Sequence, residues 1–173
     1  MASSSTRPTV TRNVRLPTCE NEENDTALRL ECDVYRPPKA IKRTNKDVFL
    51  LLHAHGKLGG SRFMLNAYAI LLAMRGFVTY NVSFRGCDGN EKTSRASVFG
   101  EVDARDVLEM VKEIRTRESD DLEDVEVNIY VYGYSFGAAV GANAVGLLHE
   151  KLLSQKNVDV CSESDERTVW SRC

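Results

Sequence analysis

Two stretches near the start of the chain, Val10 to Leu16 and Leu28 to Tyr35, alternate apolar and polar residues in the manner of strands with one buried face. The polar run Glu20 to Thr26 between them predicts a hairpin loop, and Pro37-Pro38 ends the second strand. The pattern then changes. Val48-Phe49-Leu50-Leu51-Leu52 is apolar without interruption, as in a strand of a parallel sheet covered on both faces. Arg62 to Arg75 has helical spacing, with Phe63, Ala67, Ile70, Leu71 and Met74 as the stripe expected to be buried and Gly76 placed to cap the end. Phe77 to Val82 reads as the next strand. Glu101 to Arg117 reads as a helix with Val107, Leu108, Val111 and Ile114 on one face, and Val125 to Tyr132 as another buried strand. After it, Ala138, Ala139, Gly141, Ala142, Ala144 and Gly146 let a helix axis lie close to a sheet, with Leu148 and Leu152 continuing the buried face. The order is a β-hairpin followed by βαβαβα. It predicts an α/β fold with a doubly wound, mainly parallel sheet.

Length and composition change this picture little. With 173 residues, 42% hydrophobic and 28% charged, the chain has the make-up of one globular domain. Residues 1–11 are expected to form a disordered tail, 12–155 the α/β domain, and 156–173 a polar, irregular tail in which Asn157-Val158-Asp159-Val160 has the composition to begin a sixth strand. Arg7, Arg12 and Arg15 among serines and threonines give the start a faint likeness to a transit peptide, but a disordered tail is the preferred reading. A net charge of −2 and the lack of a basic stripe argue against nucleic acid as a partner. No apolar run reaches the roughly 18 residues of a membrane helix, and Met1 to Thr11 lacks a secretory apolar stretch. A cytoplasmic protein is expected. Five cysteines without a C-x-x-C pair support neither zinc nor a disulfide framework, so reduced thiols are expected and no metal or cofactor is implied. Gly56 to Ser61 does not keep the order of a phosphate-binding loop.

The chemistry centres on Gly133-Tyr134-Ser135-Phe136-Gly137, a G-x-S-x-G pattern between a predicted strand and a small-residue helix. In that context the serine sits on a tight turn, a nucleophile elbow, and the flanking glycines give the backbone room to double back.

Two further segments accompany it: His53-Ala54-His55-Gly56-Lys57-Leu58-Gly59-Gly60 after one strand and Ser83-Phe84-Arg85-Gly86-Cys87-Asp88-Gly89-Asn90 after the next. Together these motifs, over about residues 12–155, resemble the α/β-hydrolase fold, and specifically its small hydrolases related to dienelactone hydrolases and serine aminopeptidase-like esterases. The first segment is similar to that family's H-x-H-x-x-x-G-G loop and the second to its F-R-G-x-G-x-S loop, where Asp88 and Asn90 replace a glycine and a serine. The resemblance implies a serine hydrolase of esterase, thioesterase or amidase type, acting on a small-molecule ester, thioester or amide through an acyl-serine. Ser135 would be the nucleophile. The backbone N–H of Phe136 and that of Gly56 or Lys57 would form the oxyanion hole. His55, His53, Arg85 and Asp88 are auxiliary candidates. Each also has a plain structural reading: the histidines as polar residues ending a buried strand, Arg85 and Asp88 as ties between two loops.

In this fold the acid and then the histidine follow the serine along the chain. Only His149 follows Ser135, and 14 helical residues would place it about 21 Å away along the axis. The resemblance therefore implies a C-terminally truncated form lacking the Asp and His of the triad. Two functions stay open: a serine hydrolase, or a non-catalytic remnant or splice form acting as a binding or regulatory module. A makeshift base at His55 is a third reading, without a carboxylate to orient it. With no sixth strand, the edge of Val125 to Tyr132 is expected to be exposed, inviting a homo-oligomer or another partner.

Overall fold

The computed structural model describes residues 7–19, 29–39, 46–53, 61–88, 90, 100–119 and 126–159. Five strands form one sheet: β1 (Thr9–Pro17), β2 (Arg29–Arg36), β3 (Lys46–Leu52), β4 (Val78–Val82) and β5 (Val127–Gly133), in the spatial order β1-β2-β4-β3-β5. Helices α1 (Asn66–Met74), α2 (Glu101–Ser119) and α3 (Phe136–Asp159) complete the fold, and a 3₁₀ turn, Arg62–Leu65, leads into α1. β1 pairs antiparallel with β2 and β2 with β4, whereas β3 runs parallel to both β4 and β5. The expected hairpin thus joins the parallel strands edge to edge in one mixed sheet.

β3 explains the architecture. It lies between β4 and β5, so its backbone is paired on both sides, and its side chains alternate into two cores. Val48, Leu50 and Leu52 point into the larger core with Tyr80, Val82, Met110, Ile114 and Val140. Leu51 joins Tyr35, Leu65, Ala69 and Ala73 on the opposite face. Helices α2 and α3 cover the first face and α1 the second, as two apolar faces require.

The register matters for function. Leu52 pairs with Val82 on one side and with Gly133 on the other. The three parallel strands therefore end together, and the residues that follow them, His53, Ser83 and Tyr134, leave the sheet at one rim. This is the rim at which parallel sheets bind ligands.

Several expectations are corrected. The exposed face of α1 and its leading turn is the stripe expected to be buried: Phe63, Ile70, Leu71 and Met74 face solvent, while Leu65, Ala69 and Ala73 pack inward. Nearly every residue of Asn66–Met74 is apolar, so periodicity cannot separate the two arcs, and packing selects the alanines, which let the helix approach the sheet. Leu148 is exposed; the inward face of α3 consists of Gly137, Val140, Gly141 and Ala144. Asn157, Val158 and Asp159 belong to the end of α3 and start no strand. β1 begins at Thr9, inside the segment expected to be a tail, because Thr9, Val10 and Thr11 have partners in β2 at Arg36, Tyr35 and Val34. A bulge between Thr11 and Val14 puts Asn13 at φ +55, a conformation that asparagine tolerates better than most residues.

Candidate functional site

The strand-to-helix turn after β5 is built by contacts that leave little choice of residue. The Tyr134 N–H donates to the Leu52 carbonyl at 2.9 Å, extending the sheet pairing one residue beyond β5. The chain then reverses. Ser135 takes φ +53, in the left-handed region, and the N–H groups of Gly137 and Ala138 donate back to the carbonyls of Tyr134 and Ser135, each at 3.0 Å. α3 starts at Phe136. A Cβ on Gly133 would fall on the Gly137 carbonyl and 2.5 Å from the Ala138 Cα. One on Gly137 would fall on the Leu52 carbonyl and 2.8 Å from that of His53. Both obstacles are backbone, which cannot swing aside. Both glycines of the motif are therefore steric necessities.

Ser135 itself is exposed. A non-glycine residue held at positive φ without a turn chemistry of its own is a strained position, and such strain gathers where a side chain must be presented. Phe136 beside it is anchored from below: its ring meets Phe84 edge-on at 5.7 Å, and Phe84 in turn tilts against His53 at 5.1 Å. Gly100, at φ +74 just before α2, lies against the same ring, a Cβ there falling 3.3 Å from it.

The auxiliary candidates fall in different places. His53 is fully buried, and its carbonyl abuts Gly137. Arg85 is buried and donates two hydrogen bonds to Asp106 of α2, at 2.6 and 2.7 Å, while Asp106 also accepts the Cys19 N–H at 2.9 Å. It ties the loop after β4 to α2 and to the end of β1. Asp88, at φ +50, accepts hydrogen bonds from the Ser61 and Ser83 hydroxyls at 2.5 and 2.6 Å and from the Arg62 N–H at 3.0 Å. Burial pushes its carboxyl up, but these bonds and the nearby His53 outweigh that and hold it below the usual carboxylate range. It locks the entry of α1 onto the end of β4. Asn90 does similar work, donating to the Ser83 and Phe84 carbonyls and accepting from the Glu31 N–H. His55, Gly56 and Lys57 lie outside the described residues.

Other nucleophiles fit less well. Burial pushes the thiols of Cys19 and Cys32 up to about 12, which keeps them protonated at neutral pH. Among the described residues no group of three His, Cys, Asp or Glu side chains could hold a metal ion, and no helix is long and apolar enough to cross a membrane.

Sequence reasoning missed the buried carboxylates of α2. Asp103, Asp106 and Glu118 are all buried. A signal existed: at 100° per residue they fall on the same arc as Val107, Met110 and Ile114, and acids on an apolar stripe need partners.

At the level of sequence, no family model and no curated protein matches the chain. Solved structures do resemble it. An α/β serine hydrolase without a lid from Xanthomonas campestris superposes with a TM-score of 0.60 at 18% identity, over 84% of this chain and 58% of that one. An α/β serine hydrolase homologue from Coxiella burnetii gives 0.53 at 20% identity, over 75% and 55%. An esterase from Pyrococcus furiosus gives 0.52 at 18%, over 77% and 43%. The chain thus spans between 43 and 58% of the length of these proteins. Its five-stranded mixed sheet, with helices on both faces and a serine turn where β5 meets α3, has the fold of the α/β serine hydrolases.

Proposed function

We propose that Ser135 is the acyl-accepting nucleophile of a serine hydrolase of esterase, thioesterase or amidase type, acting on a small-molecule substrate. The observation that carries this reading is the Ser135 backbone: exposed, at φ +53, between two glycines whose positions admit no side chain. In the proposed reaction the Ser135 hydroxyl adds to the substrate carbonyl, and its proton passes to a base. The negative charge that develops on the carbonyl oxygen is met by the N–H of Phe136, at the start of α3, and by that of Gly56 or Lys57. Collapse expels the alcohol, thiol or amine and leaves the acyl group on Ser135, and water then releases it. The base is not His149, which is exposed on α3 about 20 Å along the axis from Phe136. Incubation with a fluorophosphonate probe tests the proposal. Labelling of the folded chain that disappears in Ser135→Ala supports it, and no labelling, or labelling unchanged in that variant, removes it.

A second reading, a non-catalytic binding or regulatory module, is favoured by the structural work of Arg85 and Asp88, whose side chains are engaged in tying loops together. Ser135-dependent turnover of p-nitrophenyl acetate well above background eliminates it. If that turnover survives in His55→Ala, His55 is not the base.

A further inference from the structure

Three aromatic rings follow one another from the end of β3 to the serine turn. The His53 ring, just after β3, tilts against Phe84 at 5.1 Å. Phe84, in the loop after β4, meets Phe136 at 5.7 Å with the ring planes 82° apart, and Phe136 opens α3. His53 and Phe84 are buried, at 0 and 1% exposure, and Phe136 is half-buried. A second element touches the same ring. A Cβ on Gly100, just before α2, would fall 3.3 Å from the Phe136 ring and 2.9 Å from the Cγ2 of Val140, one turn further along α3. At φ +74 and with those neighbours, Gly100 leaves the Phe136 ring the space that any side chain would take.

Rings packed edge to face prefer one mutual orientation, beyond what their buried area contributes. A side chain gripped in this way fixes the Cα–Cβ direction of its residue, and with it the tilt of the peptide that carries its N–H. The N–H groups of Tyr134, Gly137 and Ala138 donate to the carbonyls of Leu52, Tyr134 and Ser135. These bonds hold the turn on either side of the Ser135–Phe136 peptide, and the ring contact acts on Phe136 itself. We infer that Phe84 is a positioning residue for the oxyanion donor: its contact with the Phe136 ring keeps the Phe136 N–H aimed at the place where the carbonyl oxygen of the substrate becomes negative. The inference rests on the reading of Ser135 as the acyl-accepting nucleophile. Phe84 acts through Phe136 and not on the reacting atoms. Losing an oxyanion donor outright costs about a hundredfold to a thousandfold in rate. Phe84→Leu keeps the donor but removes the ring that aims it, so a smaller fall, about tenfold, is expected.

The rate of fluorophosphonate labelling of the full chain, corrected for the folded fraction, reads the outcome. Phe84→Leu is expected to label about tenfold more slowly than the wild type, and Phe136→Leu, which retains the N–H but not the ring, to slow by a similar factor. The double variant is expected to be no slower than either single one, because both remove the same contact. Ile114→Val trims the same core about 20 Å along α2 from Gly100 and is expected to label at the wild-type rate. A wild-type rate in Phe84→Leu, equal slowing in Ile114→Val, or single effects that multiply in the double variant overturns the inference. Should Phe84→Leu fail to fold, Phe136→Leu decides, and a wild-type rate there overturns it. Failure of the underlying reading looks different: a wild-type chain that is not labelled, or is labelled equally in Ser135→Ala, removes the nucleophile and this inference with it. Ser135-dependent labelling that both leucine variants keep at full rate removes only the role of Phe84.

Discussion

Ser135→Gly separates what the serine does for chemistry from what it costs the fold. At φ +53 an L-residue suffers a clash of Cβ with the following carbonyl, worth roughly 1–2 kcal/mol, and glycine escapes it. Glycine in turn loosens the unfolded chain, which costs about 0.4–1 kcal/mol. Ser135 is exposed, so deleting its hydroxymethyl group opens no cavity. The expected result is a variant about 0.5–1 kcal/mol more stable than the wild type, the difference of those two effects. Ser135→Ala keeps Cβ and the strain, and should match the wild type. Urea denaturation at neutral pH gives the comparison, and a melting temperature raised by about 1–4 °C is its thermal counterpart for a chain of this size. Both variants lose fluorophosphonate labelling. A glycine variant less stable than the alanine variant would refute the claim that the turn holds Ser135 under strain, and with it the main support for a presented nucleophile.

Three other outcomes follow from particular contacts. Gly137→Ala should cost about 3 kcal/mol or abolish folding, as overpacking against rigid backbone does, whereas Gly146→Ala, with nothing within 4 Å of its added Cβ, should stabilise α3 by about 0.5–1 kcal/mol. Equal effects in urea denaturation would contradict this account of the turn. Arg85→Met leaves Asp106 buried without its two strongest donors and should cost about 3–5 kcal/mol by chemical denaturation; full stability with lost activity would instead point to a chemical role. Glu118, fully buried, is pushed up by its burial, but bonds from Arg36, Lys46 and Tyr80 bring its carboxyl down to about 2. Because the folded value is depressed, the stabilisation, about 3 kcal/mol, is complete above pH 5 and lost as pH falls toward 2. Glu118→Gln should therefore lie about 2–3 kcal/mol below the wild type at pH 7, in line with a broken ion pair, and converge with it near pH 2. A gap of the same size at both ends of that range would refute the titration of Glu118 as its cause.

What the sequence made legible is what short range determines. β3 announced itself as an unbroken apolar run, and the serine turn as glycines two residues either side of Ser135, because each is dictated by neighbours within a few positions. Partners distant in sequence left no such mark. Arg36 and Glu118 are 82 residues apart, Arg62 and Asn13 are 49, and Cys19 and Asp106 are 87. No local pattern says which carboxylate meets which guanidinium. Arg85 shows the consequence: its motif suggested a place in the site, and only the packing of α2 revealed Asp106 as its partner.

α1 shows a different limit. Its sequence is apolar on every side, so the pattern specified a buried helix without specifying which arc. Ala69 and Ala73 took the inward position because the sheet beneath them presents Tyr35 and Leu51 at close range, and small side chains allow close approach. The larger side chains, Phe63, Leu71 and Met74, were left outward. Burying them would be favourable by roughly 1.5–3 kcal/mol each, yet the close contact of Ala69 and Ala73 with Tyr35 and Leu51 decides which arc faces the sheet. Among the outward residues Tyr68 still finds a partner in the sheet, stacking on Tyr132 of β5 at 6.1 Å.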